Sequence, residues 1–293
     1  MNLNDVRQRV RTLDSVPVVP SILRPLVAQL NQPPEQVQIG ALADLVVCES
    51  SLAAKCLHLA NSPLFGISRP ITSIRAAVVA LGIQRLQAVL LSACMVGLFR
   101  TKSGDIDTSA FWEHSFACAL VSQQFARRIR HEDLDKAYLG GLLHDLGLIM
   151  SLVLFPNELR EVFVLCSDQA LPLEEAERRV FGFTHCDTGA LLAEEWQLPR
   201  EVGEVMRFHH ADDFKAHCDL VPIVHLCDQL CELGGLGHGF PRMIEVEFDE
   251  DQAWEALMQH HPQLRHLDLA RFTFELETYF AEAKRMVANL FQN

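Results

Sequence analysis

The stretch AYLGGLLHDLGLIMSLVLF, residues 137–155, is almost wholly apolar, yet it carries a histidine and a carboxylate side by side at its centre, His144 and Asp145. Its length and lack of period-two alternation predict a buried helix over 136–154. An unpaired carboxylate in such a place costs several kcal/mol, so Asp145 needs a cation or strong donors around it. Outward from this core the same helical period recurs. Helices are predicted near 109–130, 157–168, 172–181, 184–196, 199–212 and 220–232. Thr184 with Asp187 three residues on reads as a capping box, which puts His185 in a first turn. Pro199 takes a first helical position after Leu198.

The N-terminal third repeats the pattern. Apolar stripes predict helices over 20–31, 37–47, 51–60, 72–81 and 84–99, with Gly82 separating the last two. ANSPLFGISRP (60–70) reads as a loop, in which Asn61, Ser62 and Phe65 fit a helix end: Asn caps, Pro stops, Phe plugs the core. With almost no strand pattern and loops too short for crossovers, the expected fold is all-α. TKSGDIDT (101–108) is the clearest composition break and the expected boundary between two lobes, 12–100 and 109–232. Residues 233–293 form an extension: a Gly-rich connector, LGGLGHGFP (233–241), and an amphipathic helix over 263–292 that packs on its own chain or on a second subunit. The connector lacks phosphate-loop spacing. Twelve of the thirteen histidines follow the boundary, so the second lobe is where chemistry is sought.

Composition excludes several classes. At 293 residues, 49% apolar and 22% charged, the chain is neither disordered nor fibrous. A formal charge of -13 disfavours nucleic acid and anionic lipid, since neither RQRVR (7–11) nor RRIR (127–130) is long enough to override it. Nine single cysteines without CxxC spacing read as reduced, buried thiols in a cytoplasm. MNLNDVRQRVR shows no signal-peptide core, and the longest uncharged runs, 87–99 and 146–155, fall short of a membrane span. Cys227 and Cys231, beside His217, His225 and Cys218, fit no standard zinc spacing. His58, His131, His238, His260, His261 and His266 read as ordinary surface or partly buried residues.

His114, His144, Asp145, His185, His209, His210 and Asp228 each fall on a segment predicted helical and flanked by core-type residues. Neutral imidazoles and a carboxylate converging from several helices suit a divalent metal, which would neutralise the buried charge. The alternatives are a hydrogen-bonded polar cluster and, for the histidine pair at 209–210, a solvated helix end.

The order His114, His144-Asp145, Asp228 resembles the H…HD…D signature of the HD superfamily of metal-dependent phosphohydrolases. His185 and the pair His209-His210 resemble the extra histidines of its HD-GYP subgroup. VPVVPSILRPLVAQL, LAAKCLHLANSPLFG and RPITSIRAAVVALGIQRLQ in the first lobe narrow the likeness. FWEHSFACALV, AYLGGLLHDLGL, VFGFTHCDTGALLAEEWQLP and VMRFHH in the second complete it. Together, over residues 12–232, they are similar to the HDOD family, the HD-related output domain of bacterial signalling proteins.

The resemblance implies an N-terminal helical bundle packed on an HD-like lobe. It implies a first metal site at His114, His144, Asp145 and Asp228, and a second at His185, His209 and His210 bridged by Asp145. One or two divalent ions (Fe, Mn, Zn or Ni) suit these ligands better than a thiolate-selected metal. Three departures bear on catalysis. HDLGL puts Leu148 where HD-GYP enzymes have a phosphate-binding lysine; HHADDFKAHCDL (209–220) replaces the GYP loop; and Ala110 stands where a third metal expects an acid. Arg127, Arg128 and Arg207 are the nearest candidate anion donors, and Arg75 a candidate for a pair between the lobes.

The expected function is therefore an HDOD-type signalling module, non-catalytic or weakly catalytic. Its partners would be other signalling proteins, or a second copy in a homodimer. No receiver, GGDEF or EAL domain is legible on the chain, so inputs and outputs are expected on separate proteins. The alternative is a metal-dependent phosphohydrolase acting on a nucleotide or cyclic dinucleotide, which needs a basic residue to replace Leu148 in space.

Overall fold

The computed structural model describes residues 3–12, 50–62, 70–98, 102–103, 106–237 and 250–291, with isolated positions at 25, 28, 32, 36 and 40. Apart from those isolated positions, the helices predicted at 20–31 and 37–47 lie outside the described residues, as does Phe65. First come α1 (Leu3–Thr12), α2 (Ser50–Ala60), α3 (Ile74–Leu81) and α4 (Ile83–Leu98). Next come α5 (Ser109–Arg128), α6 (Leu134–Leu143), α7 (Leu146–Leu154), α8 (Pro156–Gln169) and α9 (Leu173–Val180). The second lobe ends with α10 (His185–Glu195), α11 (Arg200–Phe208) and α12 (Leu220–Leu233). The extension holds α13 (Gln252–His260), a 3-10 turn (Pro262–His266) and α14 (Leu269–Phe291). The fold is all-α.

Four local expectations are corrected. The segment 136–154 is two helices, α6 and α7, because His144 and Asp145 occupy the turn between them. Their backbone bonds shift from His144 N–H to the Gly140 carbonyl (2.9 Å) to Leu148 N–H to the Asp145 carbonyl (2.8 Å). Pro199 caps α11 from outside in an extended conformation, φ -50° and ψ 138°, and the helix begins at Arg200. The polar break at 101–108 carries a two-residue antiparallel pair, β1 (Lys102–Ser103) with β2 (Ile106–Asp107). The tail begins as the 3-10 turn and becomes α14 only at Leu269. The capping box at Thr184 forms as predicted, with both reciprocal bonds to Asp187.

The core centres on α5, which packs against α6, α12 and α14. Trp112, Phe116 and Phe125 are fully buried along it. Such all-round burial marks an interior helix rather than an amphipathic surface one. α14 packs on its own chain, against α5 and α2, through Phe272, Leu276, Phe280, Ala283 and Met286. Phe125 and Phe272 meet edge-on at 5.7 Å. Asn61 behaves as the turn chemistry required: its amide bonds the Leu57 and Ile71 carbonyls and accepts from Ile71 N–H, closing the ends of the loop. The ion pair from the first lobe to α6 is Arg85–Asp135 at 3.6 Å, while Arg75 points to solvent.

By length and composition the stretch Leu134–Leu154 could cross a membrane, which the uncharged-run reading missed. It is 89% buried inside the protein and broken at its midpoint, so here it is the core of the second lobe.

Candidate metal centre

Two glycines, one on either side of the His-Asp pair, let α5 and α10 close on it. A Cβ on Gly141 would lie 2.6 Å from the Cys118 carbonyl oxygen, so α6 crosses α5 backbone to backbone. A Cβ on Gly147 would lie 1.9 Å from the His185 carbonyl oxygen, so α7 crosses the start of α10 in the same way. His114 on α5 and His185, the first residue of α10, therefore face His144 and Asp145. His209 arrives as the C-cap of α11 and Asp228 from the middle of α12. All six are at most 2% exposed.

Every ring is oriented by an acceptor on Nδ1. His114 donates from Nδ1 to the Leu236 carbonyl at 2.6 Å, His144 to Gly141 at 2.8 Å, and His209 to Val205 at 3.0 Å. His185 donates to the buried Glu177 carboxylate at 2.7 Å. Carbonyls and carboxylates only accept, so each neutral ring carries its proton on Nδ1 and turns the Nε2 lone pair inward. These Nε2 atoms face one another and two carboxylates. His114 and His144 are 3.4 Å apart, and His185 and His209 3.3 Å. Asp145 Oδ2 is 3.2 Å from His144, while its Oδ1 is 3.3 Å from His185 and 3.2 Å from His209. Asp228 Oδ1 lies 3.1 Å from His114 and 3.7 Å from His144, yet no donor is aligned with it.

Lone pairs converging at this spacing repel unless a positive charge lies among them. Ligands about 2.0–2.1 Å from a common centre are about 3.0–3.4 Å from each other, the separation seen here. The donor set therefore fits a divalent cation, in two groups that share Asp145. The second carboxylate–imidazole unit, Glu177 on His185, is the arrangement that raises ligand basicity at metal sites.

Electrostatics point the same way. Burial opposes the charged form of every group, but the neighbouring carboxylates outweigh it and hold His114 above its ordinary pKa. His144 and His185 are held well above theirs, Asp145 acting on the first and the Cys186 sulfur and Glu177 on the second. His209 is raised to about 9, and the partnered imidazoles hold Asp228 well below the carboxylate range. Protons gather here because the nest is short of positive charge, and a divalent ion can replace them.

The remaining candidates divide. His210 belongs to the second group as its one partly exposed member, with Nε2 3.1 Å from Glu174. Leu148, at the missing lysine's position, is buried in the core. Arg128 pairs with Glu275 on α14 and lies over Phe272, and Arg127 bonds Gln124, so neither serves the centre. Arg207, with Arg178, lines an open cavity of about 550 Å³ beside Cys186 and His210. His225 donates from Nδ1 to the His209 carbonyl at 2.6 Å, and His217 stacks on Phe208. Cys227 and Cys231 are buried free thiols.

Three participants escaped the sequence reading. Glu177 had a usable signal, a carboxylate four residues after the buried Leu173 on the same face of α9. The Leu236 carbonyl had none, because a backbone acceptor leaves no mark in residue type. Cys186 reads in the sequence as one buried thiol among nine, yet against the opposing effect of burial the His185 and His209 imidazoles lower its thiol to about 6.

The model of the HDOD domain matches residues 16–212. An uncharacterized protein of Treponema pallidum (strain Nichols) is 28% identical over 200 residues, covering 68% of this chain and 38% of that protein. The chain thus spans well under half of that relative's length. Among solved structures, an HDOD domain protein of unknown function from Geobacter sulfurreducens aligns at TM-score 0.79 and 29% identity, covering 100% of both chains. A protein of Shewanella amazonensis SB2B named as a phosphohydrolase aligns at TM-score 0.74 and 22% identity, over 96% of this chain and 97% of its own. The second likeness is one of fold.

Proposed function

Because the chain belongs to the HDOD family, we propose that it is a signal-transduction module built round a buried divalent-metal centre, working without substrate turnover. The observation that carries this reading is burial. His114, His144 and Asp228 are 0–2% exposed, and the residue after the motif's glycine is the buried Leu148 rather than a solvent-facing cation. A divalent ion in such a site polarises bound oxygen and lowers the pKa of a bound water. The chain's own residues supply the rest. Asp145 and Asp228 provide negative charge, four imidazoles are fixed in the ligating tautomer, and six helices are tied to one point. A change at that point reaches α14 through α5 and the first lobe through α4 on α6. Its partners in this reading are other signalling proteins, with a homodimer as a further proposal.

The test is elemental analysis of protein purified without a metal-affinity tag, alongside His144→Ala and Asp145→Ala. One or two divalent ions per chain, lost in both variants, with no hydrolysis of a chromogenic phosphodiester, is the expected result. No metal after iron or manganese is supplied would overturn the metal-centred reading.

One observation favours the second reading, a phosphohydrolase for a nucleotide or cyclic dinucleotide. Arg178 and Arg207 line the cavity that opens beside Cys186 and His210, which gives an anion two donors near the second group. Phosphodiester turnover by the metal-loaded protein, abolished in Arg207→Ala with metal content unchanged, would establish that reading over the first.

A further inference from the structure

The second group contains one more donor atom than imidazole and carboxylate chemistry requires. Cys186 Sγ lies 3.5 Å from His185 Nε2 and 3.9 Å from His209 Nε2. Those two nitrogens and Asp145 Oδ1 form a triangle with edges of 3.2, 3.3 and 3.3 Å. Around a tetrahedral centre with metal–nitrogen bonds of about 2.0–2.1 Å and a metal–sulfur bond of about 2.3 Å, nitrogens are about 3.3–3.4 Å apart and nitrogen and sulfur about 3.5–3.6 Å apart. The edges to sulfur are the longer ones, 3.5 Å to His185 matching that spacing and 3.9 Å to His209 exceeding it by a few tenths of an ångström. We propose that Cys186 is a thiolate ligand of the metal held by Asp145, His185 and His209.

Two features of the chain support the assignment. Since His185 Nδ1–H is committed to Glu177, its Nε2 faces the Cys186 sulfur at 3.5 Å and the two atoms share one proton between them. The sulfur thus already points at the metal-facing side of the ring, and metal binding replaces that one proton, which is released to solvent. Cys186 also stands at the second position of α10, where free backbone N–H groups favour a thiolate. The competing ligand is His210, which also brings a donor atom within 4.8 Å of the others while its Nε2 lies 3.1 Å from Glu174. Cys186 closes the group on the side where the cavity of about 550 Å³ opens.

The proposal rests on the metal-centre reading and narrows it. One thiolate beside two imidazoles and a carboxylate favours zinc, cobalt or ferrous iron over manganese or magnesium. Removing the sulfur should lower zinc affinity by at least about 10–100-fold, the loss seen for groups that only orient ligands.

The experiment is cobalt substitution of the metal-free protein, followed by optical absorption. The wild type should show visible d–d bands and a near-ultraviolet thiolate-to-cobalt charge-transfer band. Cys186→Ser should keep the d–d bands and bound cobalt while losing the charge-transfer band. A second measurement needs no variant: alkylation mapped by mass spectrometry, in which zinc protects Cys186 while the half-buried Cys218 reacts at an unchanged rate. It carries the test if Cys186→Ser fails to fold. Cobalt bound without a charge-transfer band, or a band that survives Cys186→Ser, overturns the proposal and leaves the metal centre standing. No cobalt or zinc bound at all overturns the metal centre and the proposal with it.

Discussion

Glu177 does for His185 what no residue on His185's own helix does: its carboxylate accepts both the backbone N–H at 3.0 Å and the ring Nδ1–H at 2.7 Å. It thereby fixes where the ring points and which nitrogen is free. Its other oxygen, Oε1, has no hydrogen-bond partner although the side chain is fully buried. Glu177→Gln keeps the size and removes the negative charge, so metal affinity should fall by about tenfold or more while helicity is retained. Isothermal titration with zinc, beside a circular dichroism spectrum, measures both. An unchanged affinity would show that the carboxylate only packs. The histidines and Asp145 were legible because polar groups in apolar runs demand a partner. Cys186 was not, since a thiol is at home in a core and only its distance to two imidazoles sets it apart.

At the scale of elements, the helix break at the His-Asp pair is the device that makes the site. A continuous helix would turn successive side chains apart by about a third of a turn, whereas here His144 Nε2 and Asp145 Oδ2 converge to 3.2 Å. Periodicity could not show the break because every flanking position is apolar in either arrangement. Gly147 is what holds the crossing: Gly147→Ala must push α7 off α10, costing about 3 kcal/mol or more by overpacking. Gly237→Ala, with nothing within 4 Å of its Cβ, is the matched control and should melt like the wild type. Urea unfolding of the two variants tests the contrast. On α14, Phe272→Ala should cost about 3–5 kcal/mol, since the ring is fully buried against α5. A loss below about 1 kcal/mol in the same assay would mean that α14 does not contribute to the cooperative core.

For the whole molecule, the second lobe and the extension are joined by charge as well as packing. Asp219, before α12, receives His260 Nδ1 and His261 Nε2 at 2.9 Å each. Burial works against its charge, but the two imidazoles outweigh it and hold the carboxyl below its ordinary value. A carboxyl lowered on folding contributes stability that is complete above its unfolded value near about pH 4 and is lost as the pH falls through the lowered one. Asp219→Asn should therefore cost no more than about 1 kcal/mol at neutral pH, given partial exposure, and flatten the loss of stability below about pH 4. Unfolding midpoints across that range test it; an acid slope identical to the wild type would refute it. Metal acts on the same scale: because it binds the folded state, saturating zinc should raise the melting temperature and a chelator reverse the shift. His144→Ala should show no such response.

Residue order alone determined the helical class, the segment in which the histidines gather, the cap at Thr184 and the candidate metal-facing residues. Each of these depends on local period or on a polar group misplaced in an apolar run, and both are written in neighbouring positions. Tertiary structure decided what depends on distance between segments. It set the break between α6 and α7, the Leu236 carbonyl and Glu177 as the partners that orient His114 and His185, and the arginines that line the cavity. It also decided the approach of Cys186 to two imidazoles. Backbone carbonyls are the same in every residue, and a thiol gains its meaning only from what a neighbouring helix brings within about 4 Å of it.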